Sequence, residues 1–194
     1  MKLMPSLVCI IAATTFAACN SGTNNASENK TEAPTTTATA APPAGADVKT
    51  STPVNGIVDG YLHLKNALTK DDGKKAAAAG TEILTAMGKV DSTTMNAAQK
   101  KAYADVADDV KENAEHISQN AGKIAHQREH FQMLSKDMED LVKAFGGGQK
   151  LYKDFCPMAF DGKGASWLSE MKDIKNPYFG DEMLECGEVK EELK

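Results

Sequence analysis

The chain has 194 residues, of which 27 are Asp or Glu and 22 are Lys or Arg, so its formal net charge is −5. This acidic balance, a pI near 5.4 and the lack of a basic patch argue against nucleic acid as a partner. Without its predicted leader the chain is long enough for one folded domain and an unstructured part.

Residues 1–18 have the pattern of a bacterial lipoprotein signal peptide. Lys2 is positively charged, and Leu7 to Ala17 is an apolar stretch too short to span a bilayer. Small residues then precede Cys19, which in such leaders becomes the lipidated N-terminus. We therefore predict that Cys19 is lipidated and that the protein is attached to a membrane at its periplasmic face. The outer membrane is favoured, because Asn20 is not the aspartate that retains lipoproteins at the inner membrane. The alternative is an ordinary signal peptide.

Residues 19–53 comprise the lipidated cysteine and a low-complexity segment of Thr, Ala, Asn, Ser and Pro. Such a segment buries too little apolar surface to offset its ordering entropy. We predict a disordered tether between the lipid and the folded domain.

Residues 54–146 show a helical period. Four amphipathic helices are predicted, the first ending at Asp71-Asp72-Gly73, the second at the cluster Asp91 to Thr94, and the fourth at Gly146 to Gly148. The period is unbroken between Tyr103 and Phe145, so one long helix is an alternative. We favour a turn within residues 118–122, where polar residues and a glycine coincide. The predicted fold class is all-α, an up-down bundle of about four helices.

Residues 147–194 are rich in turn signals and also carry Trp167, Tyr178 and several phenylalanines. We predict an irregular segment that packs on the bundle and belongs to the same domain. It contains both cysteines that remain in the mature chain, and each lies close to a methionine: Cys156 with Met158, and Met183 with Cys186. Thiolate and thioether are soft ligands that favour Cu(I), whereas thioether is a poor ligand for zinc.

The fourth helix carries two histidines, His126 and His130, which are one turn apart and share a face with Met133 and Asp137. Two such histidines can chelate one metal ion. The pair is not the HExxH arrangement of zinc proteases, because Glu129 is displaced. A solvated polar face is the alternative interpretation. We expect this face to lie beside the C-terminal segment, so that His130 is the first additional candidate ligand of the sulfur site, with His126 and Met133 behind it.

A disulfide between Cys156 and Cys186 is the competing interpretation of the cysteines. In an oxidising compartment, closing a loop of about 30 residues would stabilise the fold by roughly 3.5 kcal/mol. Under this hypothesis Met133, Met138 and Met171 are core residues that fill space. The pattern alone does not separate the two.

Several motifs occur together in this chain: Gln127 to Phe131, Leu134-Ser135, Cys156 to Ala159, Trp167 to Ser169, Asn176 to Gly180, Met183-Leu184 and Cys186-Gly187. Through them, residues 54 to 189 resemble a bacterial domain of unknown function. That domain occurs in secreted lipoproteins and at the C-terminus of periplasmic adaptor subunits of copper and silver efflux pumps. The resemblance implies a role in handling metals, although this chain lacks the adaptor's own barrel and hairpin regions.

These observations lead to three hypotheses. The first is a lipid-anchored protein that binds Cu(I) or Ag(I) through Cys156, Met158, Met183 and Cys186, and buffers it or delivers it to an efflux or assembly partner. The second is a structural or interaction module closed by a Cys156–Cys186 disulfide. The third, a thiol-redox enzyme, is disfavoured because there is no CxxC motif and no evident base beside either cysteine. We therefore predict that the protein is not an enzyme.

Overall fold

Short polar or glycine-containing segments separate four α-helices. The computed structural model describes residues 51–193, so the predicted signal peptide, Cys19 and nearly all of the tether lie outside the described residues. The helices are α1 (Asn55–Leu68), α2 (Gly73–Met87), α3 (Ala97–Gln119) and α4 (Ile124–Phe145). None of the helices in this part of the chain is long and apolar enough to cross a bilayer.

Side chains and glycine define several of the helix ends. The carboxylate of Asp72 accepts a hydrogen bond from the Lys75 N–H at 2.9 Å and caps α2. Asn96 and Gln99 form a capping box at the start of α3. The predicted cap cluster, Asp91 to Thr94, instead forms a 3₁₀ turn, Ser92–Thr94. Gly146 follows α4 with φ 78°, a conformation that glycine adopts without a steric penalty.

The four helices pack in an up-down order, each against the next, and α1 also contacts α4. α3 ends at Gln119 and α4 begins at Ile124, so the predicted turn is confirmed and the single long helix is wrong. The core contains most of the predicted apolar positions, including Tyr61, Ile117, Phe131 and Leu134, all fully buried.

The C-terminal segment is not irregular, so the all-α prediction was wrong in this part. It forms three strands, β1 (Leu151–Cys156), β2 (Ala165–Ser169) and β3 (Glu188–Leu193), in a sheet of order β2-β1-β3. Both pairs are antiparallel, and the β1–β3 pair contains an irregularity between Lys153 and Asp154. The strands are five or six residues long and lie between turns, so the turn signals dominated the sequence pattern.

The sheet contacts the bundle through β2 and α4. Tyr61 of α1 connects these regions, because its hydroxyl oxygen accepts a hydrogen bond from the Leu168 N–H at 3.0 Å and lies 2.8 Å from Ser135 Oγ. The Phe131 ring is stacked on Tyr61 and also contacts Tyr178. Helices and sheet therefore share one apolar core.

Candidate metal centres

Gln127 fixes α4 against the end of α3. Its buried side-chain amide donates to the main-chain carbonyls of Gly73, at 2.9 Å, and Ile117, at 3.0 Å. A Cβ on Gly73 would lie 2.6 Å from the carbonyl oxygen of Ala121, so the start of α2 also packs tightly against this turn. These contacts fix the last turn of α3 beside the first turns of α4.

Three histidines meet at this junction. His116 comes from the last turn of α3, and His126 and His130 come from α4. The ring of His130 is stacked on that of His116, with centroids 4.2 Å apart, and meets that of His126 edge-on at 4.5 Å. One ligand atom from each of the three lies within 4.8 Å of the others, so this group can hold a metal ion.

The surroundings of His130 favour its neutral form. Burial lowers the pKa of His130, and the neighbouring imidazoles of His116 and His126 lower it further. Glu129 and Glu112 act in the opposite direction. A neutral imidazole is the form that binds metals, because coordination requires a free nitrogen lone pair.

The sequence predicted that His126 and His130 share a face, which is confirmed, but it missed His116. In an antiparallel helical hairpin, residues at equal distances from the turn lie opposite each other. His116 lies three residues before the end of α3, and His126 and His130 lie two and six residues after the start of α4, so His116 faces the space between them. This arrangement across the turn is the signal from which His116 could have been predicted. Using it requires the position of the turn to be predicted to within about one residue.

The histidines face α3 and not the C-terminal segment, contrary to our expectation. Arg128, Phe131 and Ser135 form the opposite face of α4, roughly 150° away around the helix. Arg128 donates to the carbonyl oxygens of Pro177, at 2.8 Å, and Leu68, at 3.2 Å. It also pairs with Asp71, which accepts a hydrogen bond from the Asp181 N–H. The motif Gln127 to Phe131 thus has residues on both faces of α4: His130 lies in the histidine group, and Arg128 and Phe131 lie on the opposite face.

The two cysteines of the C-terminal segment come together as free thiols. Cys156 Sγ, at the end of β1, is fully buried and lies 2.7 Å from Cys186 Sγ, in the loop before β3. The hydrogen bond with Cys156 and partial burial raise the pKa of the Cys186 thiol. Two thiolates bound to one tetrahedral ion, each about 2.3 Å from it, are roughly 3.8 Å apart. Binding a shared ion would therefore require these sulfurs to separate by about 1 Å.

Asn176 and Gly187 position Cys186. The buried Asn176 amide donates to the Cys186 carbonyl at 2.7 Å, and its side-chain oxygen accepts from the Tyr178 N–H at 2.8 Å. Gly187 has φ 146°, and a Cβ there would lie 2.9 Å from the Trp167 ring. Through these contacts, Asn176 of the NPYFG motif holds the Cys186-Gly187 pair in place.

The two methionines of the predicted sulfur site are exposed. Met158 is 56% exposed and Met183 is 36% exposed. The N–H of Cys186 donates to the Met183 carbonyl at 3.0 Å, and the main chain of Met158 contacts the Cys186 thiol. The main chains of both methionines therefore lie beside Cys186. Of the predicted core methionines, Met138 is fully buried, whereas Met133 and Met171 are exposed.

The turn after Met158 has an unusual backbone. Phe160 and Asp161 adopt positive φ values of 52° and 58° within the turn Ala159–Gly162. Residues other than glycine pay a conformational cost in this region, and such residues are common at functional sites. The Phe160 ring contacts Tyr178, which secures the strained turn beside Met158.

Buried charges lie between β1 and α1. Lys65 is fully buried and pairs with Glu170 Oε2 at 2.9 Å. Asp154, on β1, is also fully buried, and neither of its carboxylate oxygens has a hydrogen-bond partner among the described residues. Burial raises the pKa of Asp154 to about 7, although Lys65 partly opposes this.

The comparisons with known proteins bear on the helical part of the chain. Residues 57–150 match the model of a family described as "Protein of unknown function (DUF3347)". The match includes the three clustered histidines and ends before β1, so the cysteines lie outside it. A search of curated proteins and a search of solved structures each found no match. This match agrees with the predicted resemblance to a domain of unknown function. The association with efflux adaptors stays a prediction.

Proposed function

We propose that the protein is a lipid-anchored, periplasmic metal-binding protein that buffers copper or silver, or delivers it to an efflux or assembly partner. One observation carries the proposal: three of the chain's four histidines meet at the α3–α4 junction with their ligand atoms within 4.8 Å of one another. Solvent reaches this group, because His116 is exposed and the other two are partly exposed. A binding and release function requires such access.

The sulfur residues support a soft metal such as Cu(I) or Ag(I). Cys156 and Cys186 are in contact, and the main chains of Met158 and Met183 lie beside Cys186. Thiolates bind Cu(I) strongly, and an exposed thioether is a weaker ligand that exchanges readily. In this proposal the four residues form a second centre, and His130 and His126 belong to the α3–α4 group. Met133 lines a groove with Phe155 and Ala165 of the C-terminal segment.

The cellular location and the partner rest on the sequence alone. The leader with Cys19 supports attachment to a membrane, the outer one being favoured. The resemblance to domains fused to efflux adaptors supports a partner in copper or silver export. That the protein is not an enzyme stays a prediction.

Titration with metals tests the proposal. The full chain would carry Cys9→Ser and Cys19→Ser in every sample, so that Cys156 and Cys186 are its only thiols. We expect the triple His116→Ala, His126→Ala and His130→Ala variant to lose one bound ion. The matched control is His63→Ala, which removes the fourth histidine, an exposed residue of α1 paired with Glu82.

The sulfur centre is tested separately, by competition against a chromophoric Cu(I) chelator. Cys156→Ser should weaken Cu(I) binding strongly, and Met158→Leu and Met183→Leu should weaken it less. Met171→Leu is the matched control, because Met171 is as exposed as Met183 but is not a proposed ligand. If the parent chain bound none of Cu(I), Ag(I), Cu(II) and Zn(II), the proposed function would be wrong.

A second candidate function is an interaction module closed by a disulfide. The 2.7 Å separation of the two sulfurs favours it, because the pair could be oxidised with little movement of the backbone. This hypothesis predicts no free thiol in protein isolated from the periplasm, and a lower melting temperature after reduction. It also predicts that reduction creates no affinity for Cu(I), which is the outcome that separates it from a metal carrier.

A further inference from the structure

Asn113 determines which nitrogen of His130 carries the proton. The Asn113 side-chain nitrogen donates to the Asp109 carbonyl at 2.9 Å, which orients the amide. Its side-chain oxygen then lies 2.9 Å from His130 Nδ1. An amide oxygen can only accept, so Nδ1 must be the protonated nitrogen of a neutral ring. The lone pair is therefore on Nε2.

Glu129 has the same effect on His126. Its Oε2 atom lies 3.2 Å from His126 Nδ1, and a carboxylate can only accept. His126 thus also carries its proton on Nδ1 and its lone pair on Nε2. Metal-binding histidines usually make such a contact, donating the second ring N–H to a carboxylate or an amide oxygen.

His116 completes the group without a fixed partner of this kind. Among the described residues its ring makes no hydrogen bond, and it packs against the rings of His126 and His130. In a tetrahedral site with metal–nitrogen distances of about 2.0–2.1 Å, the nitrogens are roughly 3.4 Å apart. To reach that spacing from ligand atoms within 4.8 Å of one another, the His116 ring must turn out of its stack on His130, because each nitrogen lone pair lies in the plane of its ring.

We propose that this group binds a divalent cation of the Zn²⁺ or Cu²⁺ class through three Nε2 atoms, with Asn113 and Glu129 as positioning residues. The inference deepens the proposed metal-binding function. Imidazole nitrogen suits these ions, and the three clustered side chains are all imidazoles. Glu112 and Glu129 both act electrostatically on His130, and their negative field favours a dication over Cu(I) or Ag(I). Three ligands leave the fourth position open to water or to a ligand from a partner.

The first measurement is ¹⁵N NMR of the histidine rings in the metal-free chain, which needs no bound ion. At a pH where the rings are neutral, His126 and His130 should show protonated Nδ1 and unprotonated Nε2. Adding Zn²⁺ should shift the Nε2 resonances of His116, His126 and His130. A proton on His130 Nε2 in the metal-free chain, or coordination through His130 Nδ1, would overturn the inference.

Variants test the positioning residues. We expect Asn113→Leu to weaken Zn²⁺ binding by about 10–100-fold, the usual effect of removing such a partner. Its His130 ring should show a mixture of tautomers, a signature that a merely structural role would not produce. Glu129→Leu should weaken binding less, and Glu129→Gln should restore the part that depends on the hydrogen bond, since the amide oxygen still accepts from Nδ1. The control is Glu82→Leu, which removes the equivalent partner of His63.

Two outcomes separate this inference from the proposed function. If the three histidines bound Cu(I) or Ag(I) but neither Zn²⁺ nor Cu²⁺, the inference about the cation would be wrong and the proposed function would stand. If the histidines bound none of these ions, the inference would be wrong, and the proposed function would stand only if the cysteine centre bound Cu(I) or Ag(I). Full Zn²⁺ affinity in Asn113→Leu with an unchanged His130 tautomer would remove the positioning role alone.

Discussion

The α3–α4 hairpin and the C-terminal sheet place their candidate ligands in different ways. In the hairpin, His116, His126 and His130 lie on regular helices, and the turn determines which side chains meet. In the sheet region, Cys156 ends a strand and Cys186 lies in a loop that the Asn176 side chain secures. The comparison shows that α4 serves both regions, because one face carries two of the histidines and the other packs on the C-terminal segment that carries the cysteines.

The largest expected effect comes from breaking the contact between the two regions. Phe131 is fully buried, is stacked on Tyr61 and also contacts Tyr178. Phe131→Ala should lower the free energy of unfolding by about 3–5 kcal/mol. Urea unfolding would be followed by far-UV circular dichroism for the helices and by fluorescence of Trp167, the only tryptophan, for the sheet.

Coincident transitions would show that helices and sheet unfold together. The control is Met133→Ala, an exposed position on the same helix that should change stability little. Two separate transitions, with the fluorescence midpoint unchanged in Phe131→Ala, would contradict a shared core.

The next effect concerns the buried carboxyl of the sheet. Burial raises the pKa of Asp154 to about 7, above its value of 3.8 in a solvated chain. The folded state therefore binds the extra proton, and its stability falls as the pH rises from about 4 to about 7. Asp154→Asn should raise the free energy of unfolding by roughly 4 kcal/mol at pH 8 and have little effect at pH 4.

Urea unfolding at a series of pH values checks this prediction. Asp173→Asn, an exposed carboxyl in the same segment, is the control and should leave the profile unchanged. Loss of stability at pH 8 in Asp154→Asn would mean that a charged Asp154 stabilises Lys65, and that the expected direction of the effect is wrong.

A third prediction separates the two metal centres. His130→Ala removes a central ligand of the hairpin group and should weaken Zn²⁺ binding by at least about 100-fold, more than loss of an outer partner. Binding of Cu(I) by the cysteines should be unchanged, because His130 lies on the other face of α4. Equal loss at both centres would show that they form one site.

The smallest effect concerns the partly exposed carboxyl of the hairpin. Burial and the nearby Asp109 raise the pKa of Asp137 to about 6. Its effect on the pH dependence of stability has the same sign as that of Asp154, but it is smaller because solvent screens the charge. Asp137→Asn should therefore stabilise by about 1 kcal/mol at pH 8 and by almost nothing at pH 4. Thermal unfolding of both variants at both pH values measures these changes in stability. A larger effect for Asp137→Asn than for Asp154→Asn would contradict the expected order.

The helical part could be predicted from the sequence because its signals are local. The period of apolar residues, the cap at Asp72 and the glycines after Phe145 determine where the helices lie. The sheet could not be predicted in the same way. Its strands pair over long distances in the chain, as Leu151 does with Leu193, and each is too short to show a clear alternation.

The candidate ligands show the same limit. His126 and His130 were found because their spacing is local, whereas His116 depends on the position of a turn. The cysteines were named as a pair, but their contact depends on a loop closed by Asn176, whose role only the structure shows. The positioning role of Asn113 had no local signal, because its amide connects two helices.

The exposed methionines have a consequence for oxidation. Four of the five large apolar side chains that are exposed among the described residues are thioethers: Met133, Met158, Met171 and Met183. Peroxide converts accessible methionine to the sulfoxide, which is polar and no longer a soft sulfur ligand. Met95 and Met138 are buried and are shielded by the fold. Oxidative stress would thus remove thioether ligands while leaving the folded chain intact, and methionine sulfoxide reductases could restore them.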